Sequence, residues 1–262
     1  EEEGVELIHY AADAGINILD CWMPDPKSRD IIGLGIRDDR AHWYIQGHLG
    51  STWKNGQYYR TRDLIYVRPA FEDLLTRLQT DYIDLMLLHQ PFCDRYGAYR
   101  ALEEAYKEGK LRAIGVSNFY PDHFIDIASN MAIVPAVNQV ETHVFDQQIE
   151  PQHIMEEFGT RIMSWAPFAE GRNGFFTNPM LAEIGHKYGK SVAQVALRWL
   201  IQRGVVIIPK STHIERMRQN IDIFDFTLSD EDMASIATLD TGRSLFFDHH
   251  DAETARMFMG WR

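Results

Sequence analysis

Apolar stretches of strand length alternate with amphipathic stretches of helix length along almost the whole chain. Each predicted strand is followed by a helix or a helix-like pattern, and this alternation is typical of parallel strands joined by crossover helices. The predicted strands are 16–19, 42–46, 82–88, 111–116, 136–140, 161–165 and 205–209. The predicted helices are 5–14, 28–36, 64–78, 96–108, 121–129, 152–158, 178–188 and 191–203. A polar stretch, 50–62, is predicted to be a loop with a turn at 54–56.

Seven such repeats in 262 residues favour an α/β fold of the (β/α)8 TIM barrel type whose first strand is missing or irregular. No G-x-G-x-x-G sequence follows a predicted strand, which counts against a dinucleotide-binding Rossmann domain. No linker, repeat or low-complexity stretch interrupts the pattern. We therefore predict one barrel domain over 1–262.

The charge and cysteine content narrow the possible partners. The formal net charge is −12, so non-specific attraction to nucleic acid or to an anionic membrane is not expected. The two cysteines, Cys21 and Cys93, lie far apart without a C-x-x-C motif or metal-ligand spacing, which favours a reducing, cytoplasmic setting. No apolar run approaches membrane-spanning length, and no signal peptide is recognisable. An anionic ligand would have to be bound by a local cluster of cations.

The stretch 205–220 contains such a cluster. An apolar, β-branched strand ends at a proline and is followed by Lys210 and Ser211. Thr212 and Glu215 have the spacing of a capping box that begins a helix, and Arg216 falls in its first turns. Free N–H groups at a helix N-terminus favour an anion, and nearby cations strengthen that preference. We predict a phosphate site here.

Other polar side chains stand at the carboxyl ends of predicted strands. In a barrel these ends meet at the face that holds the active site, so the side chains are expected to converge there. Any one of them could simply satisfy a loop, but together they indicate a site. They are Asp20, His48, His89, Ser117, Asn118, Gln139, Trp165, Lys210 and Ser211.

Five segments that contain these residues, 15–20, 81–89, 115–119, 137–141 and 209–220, resemble the aldo-keto reductase family in order and element type. The resemblance covers nearly the whole chain and implies a barrel that binds NADP(H) and moves hydride between nicotinamide and a carbonyl or alcohol. It implies that Ser117, Asn118 and Gln139 hold the nicotinamide amide and that Trp165 stacks on the ring, with Ala166 and Phe168 beside it. It further implies that Lys210, Ser211 and Arg216 bind the adenosine 2′-phosphate and that Gln219 and Asn220 contact adenine.

The catalytic residues depart from the family pattern, which uses Asp, Tyr, Lys and His with tyrosine as the proton donor. Asp20 and His89 match, but Asp25 stands where the tyrosine is expected and His48 where the lysine is expected. Histidine can be cationic near neutral pH and can donate a proton itself, so His48 or His89 is the preferred donor, with Asp20 as its partner. Asp25 would need strong burial to act as an acid. Tyr58 or Tyr59 in the following loop is a further candidate.

Three functions remain open at this stage. The first is an NADP(H)-dependent oxidoreductase that reduces small carbonyl compounds with an altered proton donor. The second is a nicotinamide-binding protein with little or no catalysis. The third is a metal-dependent hydrolase that uses Asp20, Asp25, His48 and His89 as ligands, although this would leave the 210–216 cations unexplained. The C-terminal aromatic residues, including Phe246, could line a substrate pocket.

Overall fold

The structure is a computed structural model that describes residues 1–54, 57–60, 67–92 and 94–260, with the backbone alone described for 51–54 and 57–60. By their internal contacts the residues form two compact units, Glu1–Asn138 with His249–Arg262, and Gln139–Asp248. Cys93 and the side chains of Tyr58 and Tyr59 lie outside the described residues, so the predictions made for them stay untested.

The first unit contains four parallel strands with helices between them. Strand β1 pairs with β2, β2 with β5, and β5 with β6, all in parallel register. Its elements are α1 (Glu2–Asp13), β1 (Ile18–Cys21), α2 (Pro26–Ile36), β2 (Tyr44–Leu49), β3 (Ser51–Lys54), β4 (Gln57–Arg60), α3 (Val67–Leu78), β5 (Ile83–Leu88), α4 (Arg95–Lys107), β6 (Leu111–Ser117) and α5 (Pro121–Asn130). Strand β7 (Val137–Glu141) begins in this unit and ends in the second.

The second unit continues the same alternation. Strand β8 pairs in parallel with β9 through Met163 and Val206. Its elements are α6 (Ile149–Glu157), β8 (Arg161–Trp165), a 3-10 segment (Ala169–Thr177), α7 (Pro179–Tyr188), α8 (Val192–Gln202), β9 (Val206–Ile207), α9 (Ile214–Ile221) and α10 (Asp230–Ala237). The final helix, α11 (Ala252–Gly260), belongs to the first unit.

The parallel strands form one seven-stranded sheet in the order β1-β2-β5-β6-β7-β8-β9. Parallel strands in chain order with intervening helices are the arrangement of a (β/α)8 barrel, and the described residues contain seven of its eight strands. The predicted fold class is therefore confirmed, and each of the seven predicted strands is present. The single-domain organisation stays a prediction.

A buried carboxylate aligns the strands that carry the candidate site. Asp84 on β5 accepts hydrogen bonds from the backbone N–H of Ile45 at 3.0 Å and from Arg40 at 2.7 Å through one oxygen. Its other oxygen accepts from Arg112 on β6 at 3.1 Å. A buried charge is stable only when it is paired and hydrogen-bonded, so this network favours one register of β2 against β5. That register places His48 opposite Leu87.

The structure corrects the sequence prediction in three places. The stretch 50–62, predicted to be a loop, contains an antiparallel hairpin of β3 and β4, in which Ser51 lies opposite Arg60. His48 lies inside β2 rather than after it, because this strand continues to Leu49. The helices α10 and α11 were not predicted, although Ser229 and Asp232 form a capping box at the start of α10. Among the described residues, no helix has the length and apolarity needed to cross a membrane.

Candidate active site

A hydrogen-bonded pair of Asp20 and His48 lies at the centre of the candidate site in the first unit. Asp20 is in β1, and the register of β1 against β2 places it opposite Gln46, two residues before His48. His48 Nε2 lies 2.7 Å from Asp20 Oδ1, and the His48 side chain is 3% exposed. A carboxylate at this distance fixes the orientation of an imidazole.

The surroundings of His48 leave one ring nitrogen available. Gln46 Nε2 lies 3.1 Å from His48 Nε2, on the nitrogen that already faces Asp20. His48 Nδ1 and Gln46 Oε1 are both buried without a hydrogen-bond partner within the described ranges. Turning the Gln46 amide over would direct its oxygen to the His48 N–H, and amide orientation is assigned from such networks. His48 Nδ1 would remain unpartnered in either case.

His89, Ser117 and Asn118 lie beside this pair. The His89 ring packs edge-on against the His48 ring, with centroids 5.2 Å apart and an interplanar angle of 79°. Asn118 Nδ2 donates to the His89 carbonyl at 3.2 Å and to Ser117 Oγ at 3.2 Å. The backbone of Asn118 is left-handed, with φ of 61°, a conformation that asparagine tolerates better than most residues. The structure thus brings five of the predicted residues together.

Asp25 has a structural role at the start of helix α2. It is the N-cap of α2, where its carboxylate accepts from the Ser28 N–H at 2.9 Å and from the Ser28 hydroxyl at 2.6 Å. The hydrogen bond from the Ser28 hydroxyl is the main reason that the pKa of Asp25 is lowered. A proton donor needs a raised pKa, so these contacts argue against Asp25 in that role.

Cys21, which follows Asp20, is a buried free thiol. Its burial, together with the Asp20 charge, raises the pKa of the thiol to about 12. A thiol with such a pKa is protonated and unreactive at neutral pH.

In the second unit, Trp165 is the last residue of β8, as predicted, whereas Gln139 lies in the middle of β7 and not at its end, because this strand continues to Glu141. Gln139 is buried, and Trp165 is half-buried with the Phe246 ring centroid 5.0 Å from its own. The chain after Trp165 is strained, because the non-glycine residues Ala166 and Ala169 have φ of 51° and 50°. Phe168 packs against Phe175, with centroids 5.8 Å apart. Such strain is often found where backbone must approach a ligand.

The predicted phosphate site contains exposed cations at an uncapped helix. Helix α9 begins after His213, which makes no side-chain cap bond, so the capping box predicted for Thr212 and Glu215 is wrong. Ser211 Oγ instead accepts from the His213 N–H at 3.0 Å, and this turn starts the helix one residue later. Lys210 and Arg216 are exposed. The first N–H groups of α9 and the two cations keep the properties of an anion site.

The two residues predicted to contact adenine lie in the last turn of α9. Gln219 is exposed and Asn220 is half-buried. Met217, on another side of the same helix, is buried. Helix α9 is therefore anchored by an apolar residue while its polar residues remain accessible.

Two features of the site were missed in the sequence. Gln46 was overlooked, although the alternation of a strand places it on the same side of β2 as His48. Glu141, two residues after Gln139 on β7, contacts the C-terminal residues Ser244 and Leu245. No sequence signal connects residues a hundred positions apart, so this contact could not be predicted.

The described residues give no support to a metal site. In the part of the chain that the structure describes, no three side chains of His, Cys, Asp or Glu are grouped so that they could hold a metal ion. The hydrolase hypothesis required Asp20, Asp25, His48 and His89 to converge. Asp25 is occupied at the start of α2, which removes one of the proposed ligands.

Comparison with known proteins agrees with this arrangement of strands. The model of the "Aldo/keto reductase family" matches residues 1–241. The chain belongs to the aldo/keto reductase family. It is 42% identical over 217 residues to a protein of Bacillus subtilis (strain 168) named glyoxal reductase. The aligned residues cover 81% of this chain and 75% of that protein.

Solved aldo-keto reductase structures are also similar. An enzyme from a Medee basin deep-sea metagenome library has a TM-score of 0.86 at 33% identity, covering 96% of this chain and 91% of its own. A Bombyx mori aldo-keto reductase in complex with NADP has a TM-score of 0.81 at 30% identity, covering 92% and 84% respectively. This chain is therefore placed in an oxidoreductase family that uses a nicotinamide cofactor and acts on small carbonyl compounds.

Proposed function

We propose that this aldo-keto reductase reduces small carbonyl compounds with NADPH and that His48, instead of a tyrosine, protonates the carbonyl oxygen. The observation that carries the proposal is the environment of His48. Its Nε2 is held by Asp20 at 2.7 Å, while its buried Nδ1 has no hydrogen-bond partner among the described residues. A buried donor without a partner is costly unless a ligand satisfies it.

The Asp20–His48 pair combines two tasks. In a tyrosine–lysine pair, the lysine cation lowers the pKa of the phenol so that it can donate a proton near neutral pH. An imidazolium held by Asp20 is both a cation and a proton donor, so it can act without the phenol. Nδ1 is the atom that would donate, because Nε2 already faces Asp20 and Gln46.

The cofactor residues proposed in the second unit are chemically suited to NADP(H). Lys210 and Arg216 supply positive charge at the uncapped start of α9, where N–H groups are available to a phosphate. Gln139 supplies amide groups, and Trp165 supplies an aromatic surface. Bound NADPH would supply the hydride, which is the chemistry that protein side chains lack.

Small dicarbonyl compounds are the first substrates to test, because one relative is named glyoxal reductase. We assign the reaction to the cytoplasm because Cys21 is a free thiol, and the net charge of −12 gives no reason to expect binding to nucleic acid or membrane.

A second candidate function, cofactor binding with little or no catalysis, is favoured by the substituted tyrosine and lysine positions. The two functions differ in one measurement. Both predict tight binding of NADPH in a fluorescence titration, with NADH binding more weakly. Only the reductase predicts that NADPH is consumed when glyoxal, methylglyoxal or another reactive carbonyl is added.

The decisive variant is His48→Asn, which removes the titrating group and keeps a side chain that can hydrogen-bond to Asp20. We expect kcat to fall by about 100-fold or more, within the range of general acid catalysis, with the NADPH Kd unchanged. His89→Asn tests the other histidine, and His153→Asn, at an exposed position, is the control. Retention of kcat within three-fold in His48→Asn would refute His48 as the donor.

A further inference from the structure

A short C-terminal segment of the second unit, Ser244–Phe247, is tied to strand β7 by one buried carboxylate. Glu141 is fully buried. Its Oε1 accepts from the Leu245 N–H at 2.8 Å, and its Oε2 accepts from the Ser244 hydroxyl. Ser244 Oγ in turn accepts from the N–H groups of Phe246 and Phe247, at 2.9 and 2.8 Å. We call this segment, 244–247, the strap.

The strap directs one aromatic side chain onto Trp165. The Phe246 ring meets the indole at an interplanar angle of 68°, with centroids 5.0 Å apart, which is a favourable edge-to-face geometry. The Arg172 guanidinium lies 3.9 Å from the Phe246 ring centroid, and Arg172 also donates to the Leu245 carbonyl. The position of Phe246 is therefore fixed by Arg172 over its ring, by the hydrogen bond from its own N–H to Ser244 and by the Trp165 indole.

Glu141 gives a physical reason for the strap to stay closed. The only other described partner of its carboxylate is His143 Nε2, 2.9 Å from Oε1, and the His143 side chain is also fully buried. If the strap opened, Glu141 would lose the bonds from Ser244 and Leu245 while remaining buried. Buried charged groups without full hydrogen bonding are strongly unfavourable, so closure of the strap and satisfaction of Glu141 are coupled.

We infer that Glu141 is a positioning residue that, through Ser244 and Phe246, holds the Trp165 ring in the orientation in which it stacks on nicotinamide. This inference rests on the proposed function, which assigns Trp165 to the nicotinamide ring. Gln139 lies two residues before Glu141 on the same strand, so strand β7 would contribute both the amide that binds the cofactor and the carboxylate that orients its aromatic partner. The adenosine end of the cofactor, assigned to α9, would be independent of the strap.

Two probes separate this role from a merely structural one. NADPH contains the nicotinamide ring, whereas adenosine 2′,5′-bisphosphate contains only the adenosine end. Phe246→Ala and Ser244→Ala should each weaken NADPH binding by roughly 5- to 10-fold, the value of one aromatic pair, and leave binding of the bisphosphate unchanged. Ser244→Thr, which keeps the hydroxyl, should restore NADPH affinity. Phe224→Ala, at an exposed phenylalanine of the same unit, is the control.

Glu141→Gln tests the carboxylate itself, with Ser244→Ala available if that variant does not fold. Hydrogen exchange in the cofactor-free protein should become faster for the amides whose acceptor each variant changes. In Glu141→Gln this is Leu245, whose N–H then faces a neutral amide instead of the carboxylate. In Ser244→Ala these are Phe246 and Phe247, whose N–H groups lose the hydroxyl oxygen. Equal weakening of both probes, or an unchanged NADPH Kd in a variant whose strap amides exchange faster, would overturn the inference. If the unmodified protein binds neither probe, the proposed function fails instead.

Discussion

Asp146 is expected to destabilise the folded protein at neutral pH, so removing its charge should stabilise it. The residue is 6% exposed, and burial, followed by the nearby Glu141 carboxylate, raises its pKa from 3.8 to about 6. A carboxyl group with a raised pKa binds its proton more tightly in the folded state. Its contribution is therefore most favourable below the unfolded pKa of 3.8, and it is lost as the pH rises through 6.

The size of the effect follows from the shift. A difference of about 2.2 pKa units corresponds to about 3 kcal/mol when the group is fully ionised in both states. Linkage gives less than about 1 kcal/mol at pH 4, about 2 kcal/mol at pH 5 and about 3 kcal/mol at pH 8. Asp146→Asn keeps an oxygen that can accept from Gln148 Nε2, now at 3.0 Å, and cannot ionise. For a chain of this size, 3 kcal/mol is roughly 6–12 °C in Tm.

The assay is urea unfolding followed by tryptophan fluorescence, at pH 5 and pH 8, for the unmodified protein and for Asp146→Asn. The stability gain of the variant should grow by about 1 kcal/mol between the two pH values. Asp39→Asn, at an exposed aspartate, is the control and should show no such growth. A variant that is less stable at pH 8, or whose gain is the same at both pH values, would show that the Asp146 charge is not the cause.

Three further predictions concern helices. Gly33→Ala should destabilise the protein by about 1–3 kcal/mol in urea unfolding, because a Cβ there would lie 2.3 Å from the Arg77 carbonyl oxygen. An unchanged free energy of unfolding would mean that α2 can move away. Gln79→Gly should raise stability by about 1 kcal/mol, because Gln79 follows α3 with φ of 52°, where glycine is unstrained; a lower Tm would contradict this. Asp232→Asn should cost about 2 kcal/mol at pH 7. Burial alone would raise the pKa of Asp232, but hydrogen bonds, first from Lys187, lower it to about 2. The loss of stability in the variant should therefore disappear as the pH falls from 4 to 2. A loss that persists at pH 2 would show that the Asp232 charge is not its cause.

The fold was predictable because its signal is local and repeated. Each strand of the sheet is an apolar run followed by a helical pattern, and parallel pairing follows from that alternation. The hairpin of β3 and β4 was missed because 51–60 is mostly polar and lacks an apolar face. Helix α11 was missed because its short pattern follows an irregular segment, where periodicity is weak evidence.

Only those residues of the candidate site that lie near the carboxyl ends of strands could be predicted from the sequence. Asp20, His48 and His89 were identified because they lie near the carboxyl ends of neighbouring strands, and the structure brings them together. Asp25 could either cap helix α2 or act as a catalytic acid, and sequence spacing cannot decide between these roles. The structure shows the hydrogen bond from the Ser28 N–H that makes it a cap. The contact of Glu141 with Ser244 joins distant positions through folding alone.

The two substitutions in the catalytic pattern are easier to understand together than separately. A lysine has no task in proton donation once the phenol that it activates is absent, and a phenol without a neighbouring cation keeps a pKa near 10. His48 lies 2.7 Å from Asp20, so the carboxylate that would pair with a lysine contacts the imidazole instead. The proposed function makes His48 itself the proton donor, so introducing lysine alone by His48→Lys should remove activity instead of improving it. A rise in kcat for that variant would mean that the proton comes from another group, and His89 would then be the first to test.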